Sequence, residues 1–271
     1  MVINTNAVSL GAQRNLANTQ NALSANLQKL SSGMRITSAA DDAAGLGISE
    51  RLKSQVRSLQ QASRNANDGI SMGQVAEGAM NEQAGILVRL RELAVQSANG
   101  SLGTNERGYI QTEADELVAE IDRISNVTEF NGVNMIAAGT AAVDFQVGIN
   151  NGDTISINFG ATDTATLGVD ALDYSSAGAA STAIDSLDAA IDALSTQRSD
   201  IGAGMSRLQT TVTNLATAHE NLSAANSRIR DVDVAEETAA MTRNQILSQA
   251  GVAVLAQANQ LPSAALSLLR G

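Results

Sequence analysis

One apolar register constrains this chain more than any other feature. The positions Ile184, Leu187, Ile191, Leu194, Arg198, Ile201, Met205, Leu208, Val212, Leu215, His219, Leu222, Asn226 and Ile229 alternate in steps of three and four, and eleven of the fourteen are apolar. A pattern held over roughly six heptads is the mark of a coiled-coil seam rather than of an ordinary amphipathic helix. At about 1.5 Å per residue the helix would run for ~70 Å. A compact domain has no use for such a length, so the register implies a rod.

Shorter seams stand at both ends. Leu16, Leu23 and Leu30 repeat every seven residues with Leu27 at the offset position, and Ala240, Leu247, Val254, Leu261 and Leu268 repeat in the same way. Between residues 42 and 99 lies a second long proline-free stretch with Leu46, Leu52, Val56, Leu59, Ile70, Met72, Met80, Leu87, Leu90 and Leu93. Its glycines, Gly69, Gly73, Gly78 and Gly85, each weaken a helix by up to about 1 kcal/mol relative to alanine, which is tolerable where a neighbour must approach closely. The composition agrees: 44% of residues are apolar but only 2% are aromatic. Cores of this chain must therefore be built from Ala, Leu, Ile and Val.

The breaks divide the helices. Ser31-Ser32-Gly33 closes the first, and Ser38-Ala39-Ala40-Asp41 resembles a capping box that opens the second. Asn99-Gly100-Ser101-Leu102-Gly103 reads as a turn before an acidic helix through Leu117, Ile121 and Ile124. From Phe130 to about Tyr174 the period becomes two, with Phe145–Ile149 and Thr154–Phe159 flanking the hairpin signal Asn150-Asn151-Gly152-Asp153. Asp231-Val232-Asp233 separates the long helix from the last seam. The fold class is thus mainly α: long antiparallel coiled-coil helices forming a rod, with a small β-hairpin region at its tip. Terminal helices with apolar stripes on more than one side gain most from further copies of themselves, which is the signature of a polymerising subunit.

Charge and chemistry remove other classes. The net charge of −11 is concentrated in residues 111–200, which hold two basic and fifteen acidic side chains, so the acidic tip faces solvent and a nucleic-acid partner is excluded. No apolar run approaches the length of a membrane span, and the first residues lack the features of a secretory signal. With no cysteine and His219 as the sole histidine, there is neither a thiol nucleophile nor a histidine pair for a catalytic zinc. Gly45-Leu46-Gly47-Ile48-Ser49-Glu50 begins like a dinucleotide fingerprint but lacks the third glycine and a preceding strand. Asp41-Asp42 and Asp231/Asp233 are read as helix caps rather than acid–base pairs. The chain is expected to be no enzyme and to hold no cofactor or metal.

At both ends the residues are recognisable. Ile3-Asn4-Thr5-Asn6, Leu27-Gln28-Lys29-Leu30-Ser31-Ser32-Gly33-Met34-Arg35-Ile36 and Asp41-Asp42-Ala43-Ala44-Gly45 resemble the N-terminal signature of bacterial flagellins. Ser227-Arg228-Ile229, Val254-Leu255-Ala256-Gln257-Ala258-Asn259-Gln260 and Leu266-Ser267-Leu268-Leu269-Arg270 resemble the C-terminal one. Only about 45 residues separate the helical halves, so the chain is similar to a short form lacking the outer variable domains.

The resemblance implies a structural subunit of the helical flagellar filament, exported unfolded by the flagellar type III apparatus and located outside the cell. It implies an inner coiled-coil domain of residues 1–42 with 231–271 and an outer helical domain of residues 43–230, with the β-rich segment at about 130–175. The expected assembly seams are Leu16, Leu23, Leu27, Leu30, Leu247, Val254, Leu261 and Leu268. Implied partners are further copies of the chain, an export chaperone at the C-terminal helix, and the filament cap and junction proteins. Leu87–Gln96 resembles the segment by which many flagellins engage the vertebrate innate receptor TLR-five, and Arg89, Leu93 and Glu113 fall on matching positions, while Val88 departs from the commoner glutamine. The alternatives are a hook–filament junction relative, and an exported coiled-coil binding protein or effector without self-association.

Overall fold

The computed structural model describes residues 5–270, and side chains through residue 260. The elements follow as α1 (Ala7–Ser32), α2 (Ala43–Ala98), α3 (Thr104–Val127), β1 (Glu129–Phe130), β2 (Val133–Asn134), β3 (Val143–Gln146), β4 (Thr154–Ile157), α4 (Thr164–Leu167), α5 (Ala177–Arg230) and α6 (Val234–Arg270). The architecture is mainly α with a minor antiparallel β region, as the periodicities imply. The chain divides into two compact units, Met1–Val56 with Asn221–Gly271, and Arg57–Glu220.

In the terminal unit α1 pairs with α6 in antiparallel fashion. Asn6 caps α1 by accepting from Ser9 N at 3.1 Å, and its Nδ2 donates to the Ala258 carbonyl at 2.8 Å. At the other end of α1, the amide nitrogen of Asn26 is placed, in the orientation that satisfies both ends of the group, 3.2 Å from a Glu237 carboxylate oxygen. Gly33 ends α1 at φ 69, a left-handed conformation for which glycine carries no steric penalty. The two connectors then clasp each other: Arg35 N donates to the Arg230 carbonyl at 2.6 Å and Val232 N to the Gly33 carbonyl at 3.1 Å. Arg230 extends its guanidinium to Glu50 and to the Met34 sulfur.

The start of α2 differs in detail from the capping box read at Ser38. Asp42 Oδ1 caps it by accepting from Gly45 N at 2.9 Å. Asp41 lies one step earlier and closes the connector instead, accepting from the backbone and hydroxyl groups of Thr37 and Ser38. A four-residue turn inserted between Ser38 and the helix displaces the cap.

In the second unit α2 runs antiparallel to α5 and to α3. Ion pairs mark the first pairing at Arg91–Asp188 (2.5 Å) and Arg198–Glu77 (3.9 Å), and Arg89–Glu113 (2.7 Å) marks the second. The buried line of α5 runs through Ala180, Ala183, Leu187, Ala190, Leu194, Ile201, Gly204, Leu208 and Leu215. Ile184, Ile191, Met205 and Val212 of the apolar register flank that line and are half-buried. Small residues occupy the centre because the neighbours press close: a Cβ at Gly204 would stand 2.9 Å from Ile157 Cγ1, and one at Gly73 would stand 2.7 Å from Met205 Sδ.

The β segment is two hairpins. Phe130 pairs with Val133 across Asn131 and Gly132, both at positive φ as a type I′ turn demands. Strand β3 pairs with β4 in the register Val143↔Ile157 and Gln146↔Thr154. Phe159, Ile157, Met135, Ile136 and Tyr174 bury this segment into one core with α2, α3 and α5. Gln83, fully buried on α2, ties the pieces together by donating to the Ile121 and Thr162 carbonyls.

Candidate self-assembly surface

The inner face of the α1–α6 pair is built from small and polar side chains. Ser9, Asn26 and Ala258 are buried there, and Leu16, Leu23 and Leu30 are half-buried beside them. On α6 the face turned toward α1 follows Met241, Asn244, Ser248, Gly251, Leu255 and Ala258, one residue out of step with the seam read from Leu247 and Val254. Glycine at 251 sets the closeness, since a Cβ there would lie 3.2 Å from Leu16 Cδ1.

Other large aliphatic groups are left largely in solvent. Leu247 is 49% exposed, Val254 54% and Ile246 61%, and on α1 Leu10 and Leu27 are more than half exposed. Leu261 and Leu268 lie outside the described side chains. Leu247 and Val254 also form one wall of a groove of about 260 Å³ whose other wall is Ala12, Asn15, Leu16 and Thr19. Paired helices that leave this many branched side chains in water have not completed their burial, and each has up to about 1.5–3 kcal/mol to gain from full burial.

Two matches settle the family. The bacterial flagellin N-terminal helical region matches residues 3–141, and the bacterial flagellin C-terminal helical region matches residues 184–269. The chain belongs to the bacterial flagellin family. It is 46% identical to the flagellar filament 33 kDa core protein of Treponema phagedenis, 46% identical to a flagellin of Halalkalibacterium halodurans and 43% identical to a flagellin of Bacillus subtilis, in each case over the whole of both chains. Among solved structures, the crystal structure of Bacillus cereus flagellin matches at a TM-score of 0.52 and 28% identity, covering 60% of this chain and 94% of that one.

The three residues matched to the receptor-binding segment of other flagellins have different surroundings. Arg89 is exposed and forked between Glu113 (2.7 Å) and Glu92 (3.1 Å). These two carboxylates, Glu113 foremost, hold the guanidinium pKa above its ordinary value. Leu93 is 1% exposed, its side chain packed into the core on the inner side of α2. It therefore offers no contact surface in the folded chain, and its role is to seat the helix that carries Arg89. Residues four apart stand only about 40° apart around a helix, so Leu93 and Arg89 lie on neighbouring lines of α2, Leu93 within the core and Arg89 at the exposed edge where Glu113 meets it.

Among the described residues no group of three or more His, Cys, Asp or Glu side chains is placed to hold a metal ion, and no helix is long and apolar enough to cross a membrane. His219 meets Gln60 across α5 and α2 at 2.9 Å.

Proposed function

We propose that this flagellin is the structural subunit of a motility filament and that it polymerises through the outer apolar face of its terminal helices. The observation carrying this reading is that α1 and α6 are already paired, yet Leu10, Leu27, Ile246, Leu247 and Val254 remain exposed. In a monomer that surface is unfavourable; against neighbouring copies it becomes the interface. Residues 1–42 and 231–271 serve as the inner coiled-coil domain, and residues 43–230 as the domain outside it. Ordering the terminal helices on assembly is offset by the burial gained between subunits.

Export unfolded through the flagellar type III apparatus fits this division, because marginal terminal helices thread easily and complete their burial only in the filament. An export chaperone would cover the α6 stripe before export, and the cap and junction proteins would meet the same stripe at the filament ends. The mature filament is extracellular.

Electron microscopy of the purified chain tests the reading. Helical filaments are the expected result, and their absence under all assembly conditions would favour an exported coiled-coil binding protein. A second reading concerns the exposed Arg89 and Glu113, whose matching positions support engagement of TLR-five. A reporter-cell assay with monomeric protein checks it, with a reduced response expected for Arg89→Ala.

A further inference from the structure

The chain contains three Asn-Gly pairs, Asn99-Gly100, Asn131-Gly132 and Asn151-Gly152. Such pairs permit an internal reaction because a following glycine has no Cβ to obstruct ring closure. The backbone nitrogen of the glycine attacks the asparagine Cγ, an N–C bond forms, and the side-chain nitrogen leaves as ammonia. Water then opens the resulting succinimide at one of its two carbonyls, giving aspartate or isoaspartate. The reaction needs no oxidant or cofactor: one amide and one water become one acid and one ammonia.

We propose that Asn99, in the turn between α2 and α3, is the site where this flagellin undergoes intramolecular deamidation, its neighbouring groups making it faster there than at the other two pairs. Three features of the turn converge on the chemistry. The Asn99 backbone carbonyl belongs to the same peptide group as the attacking Gly100 nitrogen. It accepts from Arg107 Nη2 at 3.0 Å and from Leu102 N at 3.3 Å. A guanidinium on that oxygen stabilises the negative charge that appears when the Gly100 N–H is deprotonated, which acidifies the nucleophile. Arg107 is held in place by its second bond, Nε to the Ser97 carbonyl at 3.0 Å.

The electrophile is prepared as well. Asn99 Oδ1 accepts from Ser101 N at 3.2 Å, so a backbone donor already faces the oxygen that becomes an oxyanion when Cγ turns tetrahedral. Neither the Gly100 N–H nor the Asn99 Nδ2 donates a hydrogen bond among the described residues, so neither nucleophile nor leaving group must first be released. Asn99, Gly100 and Ser101 are all exposed to the water that completes the reaction.

The other pairs lack this arrangement. Asn131 is fixed at φ 52 inside the tight turn between β1 and β2. Asn151 sits in the β3–β4 loop, closed by Val147 N to the Asp153 carbonyl and Asp153 N to the Asn150 carbonyl. No arginine reaches the carbonyl of either residue among the described hydrogen bonds. The product at position 99 adds a carboxylate beside Arg107, or, as isoaspartate, lengthens the backbone of the α2–α3 turn.

The test incubates the purified full-length chain at mildly alkaline pH and follows the three sites by peptide mass spectrometry, with enzymatic methylation to report isoaspartate. Asn99 is expected to convert fastest in the folded protein and at a rate comparable to the other two in denaturing urea. Arg107→Gln should slow Asn99 by about tenfold, the worth of one charge-assisted bond to the developing anion, and leave Asn131 and Asn151 unchanged. Equal ranking of the three sites in the folded and urea-denatured chains would overturn the proposal. So would an unaltered Asn99 rate in Arg107→Gln with its helical circular dichroism intact. If that substitution loosens the fold and speeds all three sites together, the folded-versus-urea ratio in the parent chain decides.

Discussion

Gly204 on α5 and Ile157 on β4 meet with no room for a side chain between them: a Cβ at Gly204 would lie 2.9 Å from Ile157 Cγ1 and 3.0 Å from its Cδ1. The strand is seated on the helix by this contact, and Ile157, β-branched and 2% exposed, has little freedom to yield. The β segment is thereby held against the helices rather than appended to them.

The effect of adding a methyl group is therefore opposite at different glycines. Gly204→Ala gains up to about 1 kcal/mol of helix propensity but overpacks a contact that costs ~1–3 kcal/mol, so a net loss of about 1 kcal/mol is expected. Gly85→Ala, in the middle of α2 with nothing within 4 Å of its would-be Cβ, should stabilise by up to about 1 kcal/mol. Urea unfolding of the two variants checks both signs, and the sharper result is the contrast between them.

Leu93 and Arg89 separate packing from recognition on α2. Leu93→Ala leaves a cavity in the shared core and should lower stability by about 2–5 kcal/mol, visible as an earlier thermal transition. Arg89→Ala removes exposed bonds to Glu113 and Glu92 and should leave the melting profile almost unchanged, since exposed pairs are worth about 0–1 kcal/mol. Any loss of receptor signalling in Leu93→Ala that vanishes when the protein is assayed well below its transition is a folding effect. A loss in Arg89→Ala at the same temperature is not.

Asp41 gives the connector before α2 a defined response to acid. Hydrogen bonds from the Ser38 backbone, the Thr37 hydroxyl and the Thr37 backbone lower its pKa to about 2 from an ordinary 3.8. A carboxyl depressed on folding contributes its stabilisation fully above the ordinary value and loses it as pH falls through the folded one. Amide exchange at residues 37–41 should accordingly stay slow down to about pH 4 and quicken toward pH 2, and Asp41→Asn should abolish the pH dependence. A carboxyl resonance titrating near 3.8 would show that the anchor is not formed in solution.

Much of this arrangement is legible in the sequence because it rests on local rules. Gly33 stops α1, Asn150-Asn151-Gly152-Asp153 joins the paired strands β3 and β4, and the three-four alternation marks α5 along its length. What the residues did not disclose is which face of each helix its neighbour takes. Ranking by hydrophobicity favours Ile184, Ile191, Leu247 and Val254, whereas close approach favours Ala183, Ala190, Gly204 and Gly251. Backbone proximity won at those positions, and the displaced aliphatic groups became either flanking contacts or open surface. Leu93 stands in the apolar series between residues 42 and 99, so its packing role was legible from spacing, and its burial at 1% exposure is what separates it from the surface that Arg89 occupies. A signal for the α1–α6 face did exist in the polar residues: Ser9 and Asn26 lie seventeen apart on the stripe that contains Leu16, Leu23 and Leu30, and both are buried.

That displacement makes the assembly surface separable from the fold of the subunit. Leu247 and Val254 are about half exposed, flanking Gly251 at the mouth of the groove between α6 and α1. A carboxylate at either position stays hydrated in the monomer, and Leu247→Asp or Val254→Asp should leave helical circular dichroism unchanged. In a filament that buries this face, each substitution forfeits about 1 kcal/mol of apolar burial and adds the desolvation of a charge. The critical concentration for polymerisation should then rise by at least about tenfold. Gly251→Leu acts one step earlier, because a side chain there collides with Leu16 and forces α1 and α6 apart; it should lose both helical signal and filaments. Removing residues 231–271 altogether should abolish polymerisation while residues 57–220 keep their helices. Sedimentation and electron microscopy of the two aspartate variants against Gly251→Leu read the difference directly. Normal filaments from Leu247→Asp at the parent's concentration would show that the outer face of α6 is not buried between subunits.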